Sequence, residues 1–154
     1  MSIFKELGET YGEINSYYAR RELEAKTRGW IRKEKIWARK RELNDHAYFL
    51  FMFTRLEDRI REQSSKLIMG KQTTLSRWRQ RSAWDILPKE KESERLSFKN
   101  RLALLMKKGS KDYNRIIEYY YQRNTLGHGG NFSSPVSIPD VVDDFDRMYH
   151  ALSS

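Results

Sequence analysis

Apolar residues in this chain recur at alternating three- and four-residue steps over long uninterrupted stretches, and that spacing constrains the fold more than any other feature. Such a pattern turns one face of an α-helix apolar, whereas a half-buried strand needs strict alternation. Phe4, Leu7, Tyr11, Ile14, Tyr18 and Ala25 form a first narrow stripe, broken only where Arg21 takes a step. A basic stretch from Arg20 to Arg41 follows. A second helix is expected from about Asn44 to Ile68, with Phe49, Met52, Phe53, Leu56, Ile60 and Leu67 on one face and Arg55, Asp58, Arg59, Arg61 and Glu62 mostly off it. No segment shows a clean period of two, and no repeat recurs at solenoid spacing.

Glycine and proline are sparse and clustered, and they punctuate the rest. Gly70 to about Ser93 reads as an irregular connection, with one short helix around Trp78 and an interruption at Pro88. A third helix is expected from about Glu94 to Lys107, burying Phe98, Leu102 and Leu105 and ending at Gly109. The fourth starts near Asp112, places Tyr113, Ile116, Ile117 and Tyr120 on one face, and ends at Gly127, Gly129 and Gly130. After a loop with Pro135 and Pro139, Asp140 opens the last helix, striped with Val141, Val142, Phe145, Met148, Tyr149 and Leu152. Four or five amphipathic helices with mostly short links predict an all-α, up-and-down helical bundle. A chain of 154 residues suits one domain, expected over 1–154 with a basic N-terminal helical extension over about 1–42.

Charge narrows the partners. There are 30 Lys and Arg against 21 Asp and Glu, a formal net charge of +9. An excess of this size favours polyanions through phosphate neutralisation and counterion release. Arg32, Lys33 and Lys35, interleaved with Trp30 and Trp37, suit an RNA backbone clamp; they suit equally a solvated helix whose tryptophans dock on the bundle. There is no cysteine, which excludes disulfides and thiolate metal sites and points to a reducing compartment. The N-terminus lacks the apolar core of a signal peptide and no apolar run is long enough to span a bilayer, so the expectation is a cytoplasmic protein with no membrane partner.

The stretch that carries chemistry is Tyr119-Tyr120-Tyr121-Gln122-Arg123-Asn124-Thr125-Leu126-Gly127-His128-Gly129-Gly130. Seven residues beyond Ile116 and Ile117 stand Arg123 and Asn124, so a guanidinium and an amide are expected on the face that isoleucines occupy one heptad earlier. Burying an unpaired charge is costly, so that end of the stripe must meet a cleft, a partner subunit or an anion. On an unbroken helix Arg123 and His128 would point about 140° apart. Gly127 before the histidine, and two glycines after it, would let the chain leave the helix and swing the imidazole back, within reach of Asn124. The helix C-terminus favours imidazolium, and arginine supplies the field to hold a phosphate. The same residue types also make an ordinary helix end, since Arg, Asn and Gly are common there.

At these residues the chain resembles the HEPN superfamily, whose hallmark is an arginine, a polar residue, three variable residues and a histidine. Arg123-Asn124-Thr125-Leu126-Gly127-His128 fits it. So does its place on the penultimate helix, and residues 44 to 57 look like the long central helix of such domains. The resemblance covers about 44–152 and leaves the first forty residues unexplained. It implies metal-independent RNA cleavage by 2′-hydroxyl attack, leaving a 2′,3′-cyclic phosphate and a 5′-hydroxyl. His128 would move the protons, Arg123 would stabilise the charged phosphorane and Asn124 would orient groups. Histidine chemistry and a guanidinium aimed at an oxyanion agree with these roles. No cofactor is implied, and the sequence offers no dense carboxylate or histidine cluster for a metal.

The polar end of the stripe and the single histidine of the motif suit a two-fold homodimer with its site between two protomers, as the resemblance also implies, and the apolar residues beside the motif, Tyr120, Leu126 and Phe132, are candidates for its rim. The resemblance further implies a role as toxin or anti-phage effector, with an antitoxin or other protein as a further partner. Tyr120 is in addition a candidate base-stacking residue. Two other readings stand beside this one: a non-catalytic HEPN module that binds RNA, nucleotide or protein, and a DNA-binding helical regulator, which the absence of a helix-turn-helix pattern weakens. His46, beside Asp45, reads as structural or as lining the cleft, His150 as surface, and Glu57 and Asp58 as salt-bridging.

Overall fold

A computed structural model describes residues 1–152 and is all-α, with six helices and no strand among the described residues. The helices are α1 (Ile3–Thr27), α2 (Ile31–Thr74), α3 (Trp78–Asp85), α4 (Phe98–Leu105), α5 (Lys111–Gly127) and α6 (Ile138–Ala151). Residues 153 and 154 of the expected single domain lie outside the described residues. The chain packs as two compact units, one made of Met1–Phe53 with Tyr121–Arg147, the other of Thr54–Tyr120 with the segment from Met148.

In the first unit α1 starts at Ser2, whose Oγ accepts from the Lys5 amide at 3.3 Å and satisfies one of the orphan donors of the first turn. Phe4, Tyr11 and Ala25 are buried, and Leu7, Ile14 and Tyr18 are half-buried, so the expected stripe is the packed face. The α1 backbone comes so close to α6 that a Cβ on Gly8 would stand 2.9 Å from Val142 Cγ2. Phe4, Phe49, Phe53 and Phe145 form an aromatic cluster with centroids 6.0 to 6.3 Å apart. Edge-on and offset pairs of this kind add about 0.5–1.5 kcal/mol each beyond the area they bury.

The boundary between α1 and α2 differs from expectation. α1 ends where the amides of Gly29 and Trp30 bond back to Lys26 and Ala25, with Gly29 at φ +69°. That arrangement stops a helix cleanly with a left-handed residue. α2 then begins at Ile31, well before Asn44, and runs for 44 residues. Nothing between Ile31 and Met69 is glycine or proline. The basic stretch is thus the first part of the long helix itself, held to α1 by Arg41, which reaches Glu22 at 2.8 Å and Asn15 at 3.4 Å.

In the second unit Leu56, Ile60, Ile68, Leu102 and Ile116 are fully buried. Ile68 takes the place expected for Leu67, which is half-buried. α4 is shorter than the expected 94–107, starting at Ser97, whose Oγ accepts from the Asn100 amide at 3.3 Å. The preceding turn is held open by a residue the sequence did not flag. Arg101 is wholly buried and donates to Ser64 Oγ (2.9 Å), Ser65 Oγ (3.2 Å) and the carbonyls of Glu90 (2.9 Å) and Ser93 (3.3 Å). Desolvation holds its basicity below the usual arginine value, with the nearby Arg61 charge acting the same way. Glu57 pairs with Arg61 at 3.0 Å and Asp58 with Lys91 at 2.7 Å, which gives both carboxylates structural partners.

Candidate functional site at the end of α5

The buried face of α5 drifts. Tyr113 and Ile116 are buried as expected, but the line continues through Tyr119, Gln122 and Leu126 rather than through Tyr120 and Asn124. Arg123 and Asn124 therefore stand beside the packed face, each half-buried, where solvent reaches them. A fully buried guanidinium at 123 would have needed an anion, and this placement removes that need.

The helix keeps its register through Gly127, against the expectation that the chain leaves it there. The His128 amide still bonds to the Asn124 carbonyl at 3.2 Å. The helix stops only with Gly129, at φ +80°, whose amide bonds to Leu126 while that of Gly130 bonds to Thr125, both at 3.0 Å. His128 is thus the last residue in helical register. Five helical steps separate it from Arg123, so the two side chains leave the axis about 140° apart. The imidazole is exposed and makes no hydrogen bond among the described residues. Asn124 Oδ1 accepts from Arg123 Nη1 at 3.2 Å, so the amide is engaged by the guanidinium and not by the imidazole. Within one chain, then, the structure joins Arg123 to Asn124 and leaves His128 apart from both side chains.

Gln122 anchors the loop after the motif. Its Nε2 donates to Ser134 Oγ at 2.8 Å, and its Oε1 accepts from the Ser133 amide at 2.9 Å. Phe132, in the same loop, meets Phe49 edge-on at 5.3 Å and His46 edge-on at 4.9 Å. His46 thereby becomes part of the loop's seat. Phe132 is half-buried against these rings, and Leu126, the other apolar residue beside the motif, is buried.

Trp30 carries Arg28 and Lys33 over its ring at 4.8 and 4.2 Å, and Trp37 carries Arg21 and Lys40 at 5.3 and 4.4 Å. Tyr17 and Tyr18 pack against Trp37 at 5.8 and 5.7 Å. Trp30 remains 40% exposed, and Arg32, Lys33 and Lys35 all face solvent. Residues 20–43 hold ten Lys and Arg against four Glu, so +6 of the chain's +9 sits on this hairpin of α1 and α2. Tyr120 lies face-on against Phe98, centroids 4.6 Å apart and planes 12° apart, so one stacking face is taken; Tyr121 is the more exposed of the two. His150 is exposed beside Tyr149.

Among the described residues no three His, Asp or Glu converge in a metal-binding group, and no helix is long and apolar enough to cross a membrane. Comparisons of the chain with models of known families, with curated proteins and with solved structures find no match.

Proposed function

We propose that the chain is an RNA-binding, metal-independent endoribonuclease of the HEPN type. The observation that carries this reading is the accessible end of α5, where Arg123, braced by Asn124, and the exposed imidazole of His128 stand on neighbouring turns. The substrate's 2′-hydroxyl attacks the adjacent phosphorus and gives up its proton to a base. The 5′-oxygen then leaves with a proton from an acid, giving a 2′,3′-cyclic phosphate and a 5′-hydroxyl. Arg123 would hold the negative charge of the phosphorane, a task suited to a planar, always-charged donor. His128 would serve as base or acid, since imidazole exchanges protons near neutral pH. The cationic, aromatic hairpin of α1 and α2 would hold the RNA backbone.

Incubating the purified protein with mixed RNA in EDTA tests this directly. Cleavage that survives EDTA and falls at least about a hundredfold in His128→Ala and in Arg123→Ala is the expected result. Wild-type rates in either variant would remove the assignment. A toxin or anti-phage role would appear as growth arrest on expression, relieved by His128→Ala.

The runner-up is a non-catalytic module that binds RNA or protein. The separation of His128 from Arg123 within one chain favours it. RNA binding with no cleavage under any condition would select it.

A further inference from the structure

One face of α2 is half-exposed along its first half. Ile36, Leu43 and Phe51 are 50%, 48% and 49% exposed, and Ala47 between them is exposed as well. At 100° per residue these four fall within about 80° of one another, and they run some 22 Å along the axis, about four helical turns. At the Phe51 end the strip opens into a shallow apolar groove of about 270 Å³, lined by Leu7 of α1 with Ala47, Tyr48 and Phe51. A solvated face would not place three large apolar side chains half-open in line.

The margins of this strip decide its occupant. Arg32 and Arg39 flank it on one side and Lys33 and Lys40 on the other, all exposed. By the same angular count Glu34 and Asp45 lie on the far side of α2, and Glu42 reaches the margin only to pair with Arg39, so Arg32, Lys33 and Lys40 leave the margins net cationic. Aliphatic side chains such as Ile36 and Leu43 offer no stacking plane to a base, which disfavours RNA over the strip itself. A second copy of this chain would lay one cationic margin beside another.

We propose that this face of α2 is the docking site for an acidic amphipathic helix of a partner protein. Its apolar stripe would cover Ile36, Leu43 and Phe51, and its carboxylates would meet Arg32, Lys33 and Lys40. Helix-in-groove recognition works through such i, i+3, i+4 and i+7 anchors. Docking here is independent of what Arg123 and His128 do. Because Arg32 and Lys33 also belong to the RNA-binding surface, partner and RNA compete there.

The probe is a synthetic 20-residue helix with leucines at i, i+3, i+4 and i+7 and glutamates on both flanks. Its control is a scrambled peptide of the same composition. Both are titrated into the full chain by fluorescence anisotropy. Binding of the amphipathic peptide and not of the scrambled one is expected. Leu43→Asp should weaken it by roughly ten- to a hundredfold, the scale set by burying one leucine. Circular dichroism of that variant should match wild type, because Leu43 is already half-exposed. Affinity of Leu43→Asp for a single-stranded RNA should stay within about threefold of wild type, since the change is on the apolar strip and not at a phosphate-binding cation. Equal binding of both peptides, or an unchanged affinity in Leu43→Asp, overturns the proposal. A variant that loses RNA and peptide to the same extent would reassign the strip to RNA and also overturn it.

Discussion

Nη1 of Arg123 donates to Oδ1 of Asn124 across 3.2 Å, so the asparagine next to the arginine braces the guanidinium and leaves the imidazole of His128 without it. Asn124 is then a positioning residue for Arg123. Asn124→Asp keeps an acceptor in place and should retain activity within about threefold, whereas Asn124→Ala should lose about tenfold, the worth of one hydrogen bond to a charged group. The loss is expected in kcat more than in KM, because the arginine is most needed where charge develops. Equal losses in both variants would show that the acceptor is not what matters.

Gln122 predicts a stability effect. Its buried amide makes both bonds that tie the loop after α5, to the Ser133 amide and to Ser134 Oγ. Gln122→Ala removes both bonds, and because Ser133 and Ser134 are exposed water takes their place, so the cost should be about 1 kcal/mol. The amides of 131–137 should exchange with solvent faster, measured by hydrogen–deuterium exchange. If only the global transition moves and this loop keeps its protection, the two bonds do not control it.

These two residues also show what was legible in the sequence. The helical phases of Phe4 and Tyr11, of Phe49 through Ile60 and of Val141 through Met148 were readable, because large apolar residues at three- and four-step spacing leave one solution. The phase of α5 was not. Three successive tyrosines supply an apolar candidate at every angle there, so the stripe could be drawn through Tyr120 to Asn124 when the packed line runs through Tyr119 to Gln122. Arg101 was invisible for another reason. Its partners are two serine hydroxyls and two backbone carbonyls, and no acidic residue at a telling spacing announces such a cradle. The early start of α2 was hidden by composition, since a run of Arg, Lys and Glu around two tryptophans forms helix readily but spaces its large apolar residues, Trp30, Ile36 and Leu43, too widely to mark three- and four-residue steps. The separation of His128 from Arg123 turned on which glycine turns left-handed, and Gly127 and Gly129 look alike in the sequence.

Tyr11 should make stability fall in alkali. Burial, and then its hydrogen bond to Asp45 Oδ1 at 2.7 Å, holds its phenol well above the usual tyrosine value of 10.0, with Arg41 opposing weakly. The folded chain therefore holds this proton more tightly than the unfolded one. The stabilisation is complete below about pH 10 and is lost as pH rises from there towards the folded value. Tyr11→Phe removes the titration and should flatten the decline of the urea midpoint above pH 10, while costing about 1 kcal/mol at neutral pH. Parallel declines in the two proteins would show that other groups dominate.

RNA affinity should fall steeply with salt, because +6 of the net charge is gathered between residues 20 and 43. Neutralising Arg32, Lys33 and Lys35 together should lower the slope of log affinity against log salt by about two for single strands, at about 0.7 for each phosphate no longer paired. An unchanged slope would move the binding surface off the hairpin.

A partner protomer should supply the second half of the site. His128 stays in helical register, so in one chain its imidazole points away from Arg123, and the reaction wants both groups at one phosphate. A two-fold dimer that sets the ends of two α5 helices face to face would bring one protomer's His128 to its partner's Arg123, giving two equivalent sites of one imidazole and one guanidinium each. Light scattering at micromolar concentration should report twice the mass of the chain. Mixing Arg123→Ala with His128→Ala subunits should then restore activity that neither has alone. Random exchange makes half of the dimers mixed, and each mixed dimer regains one of its two sites, so recovery should approach about a quarter of wild type. Full activity in a strict monomer would defeat the arrangement. A dimer with no recovery on mixing would place Arg123 and His128 of the same chain in one site, and would require the end of α5 to unwind at Gly127 when RNA binds.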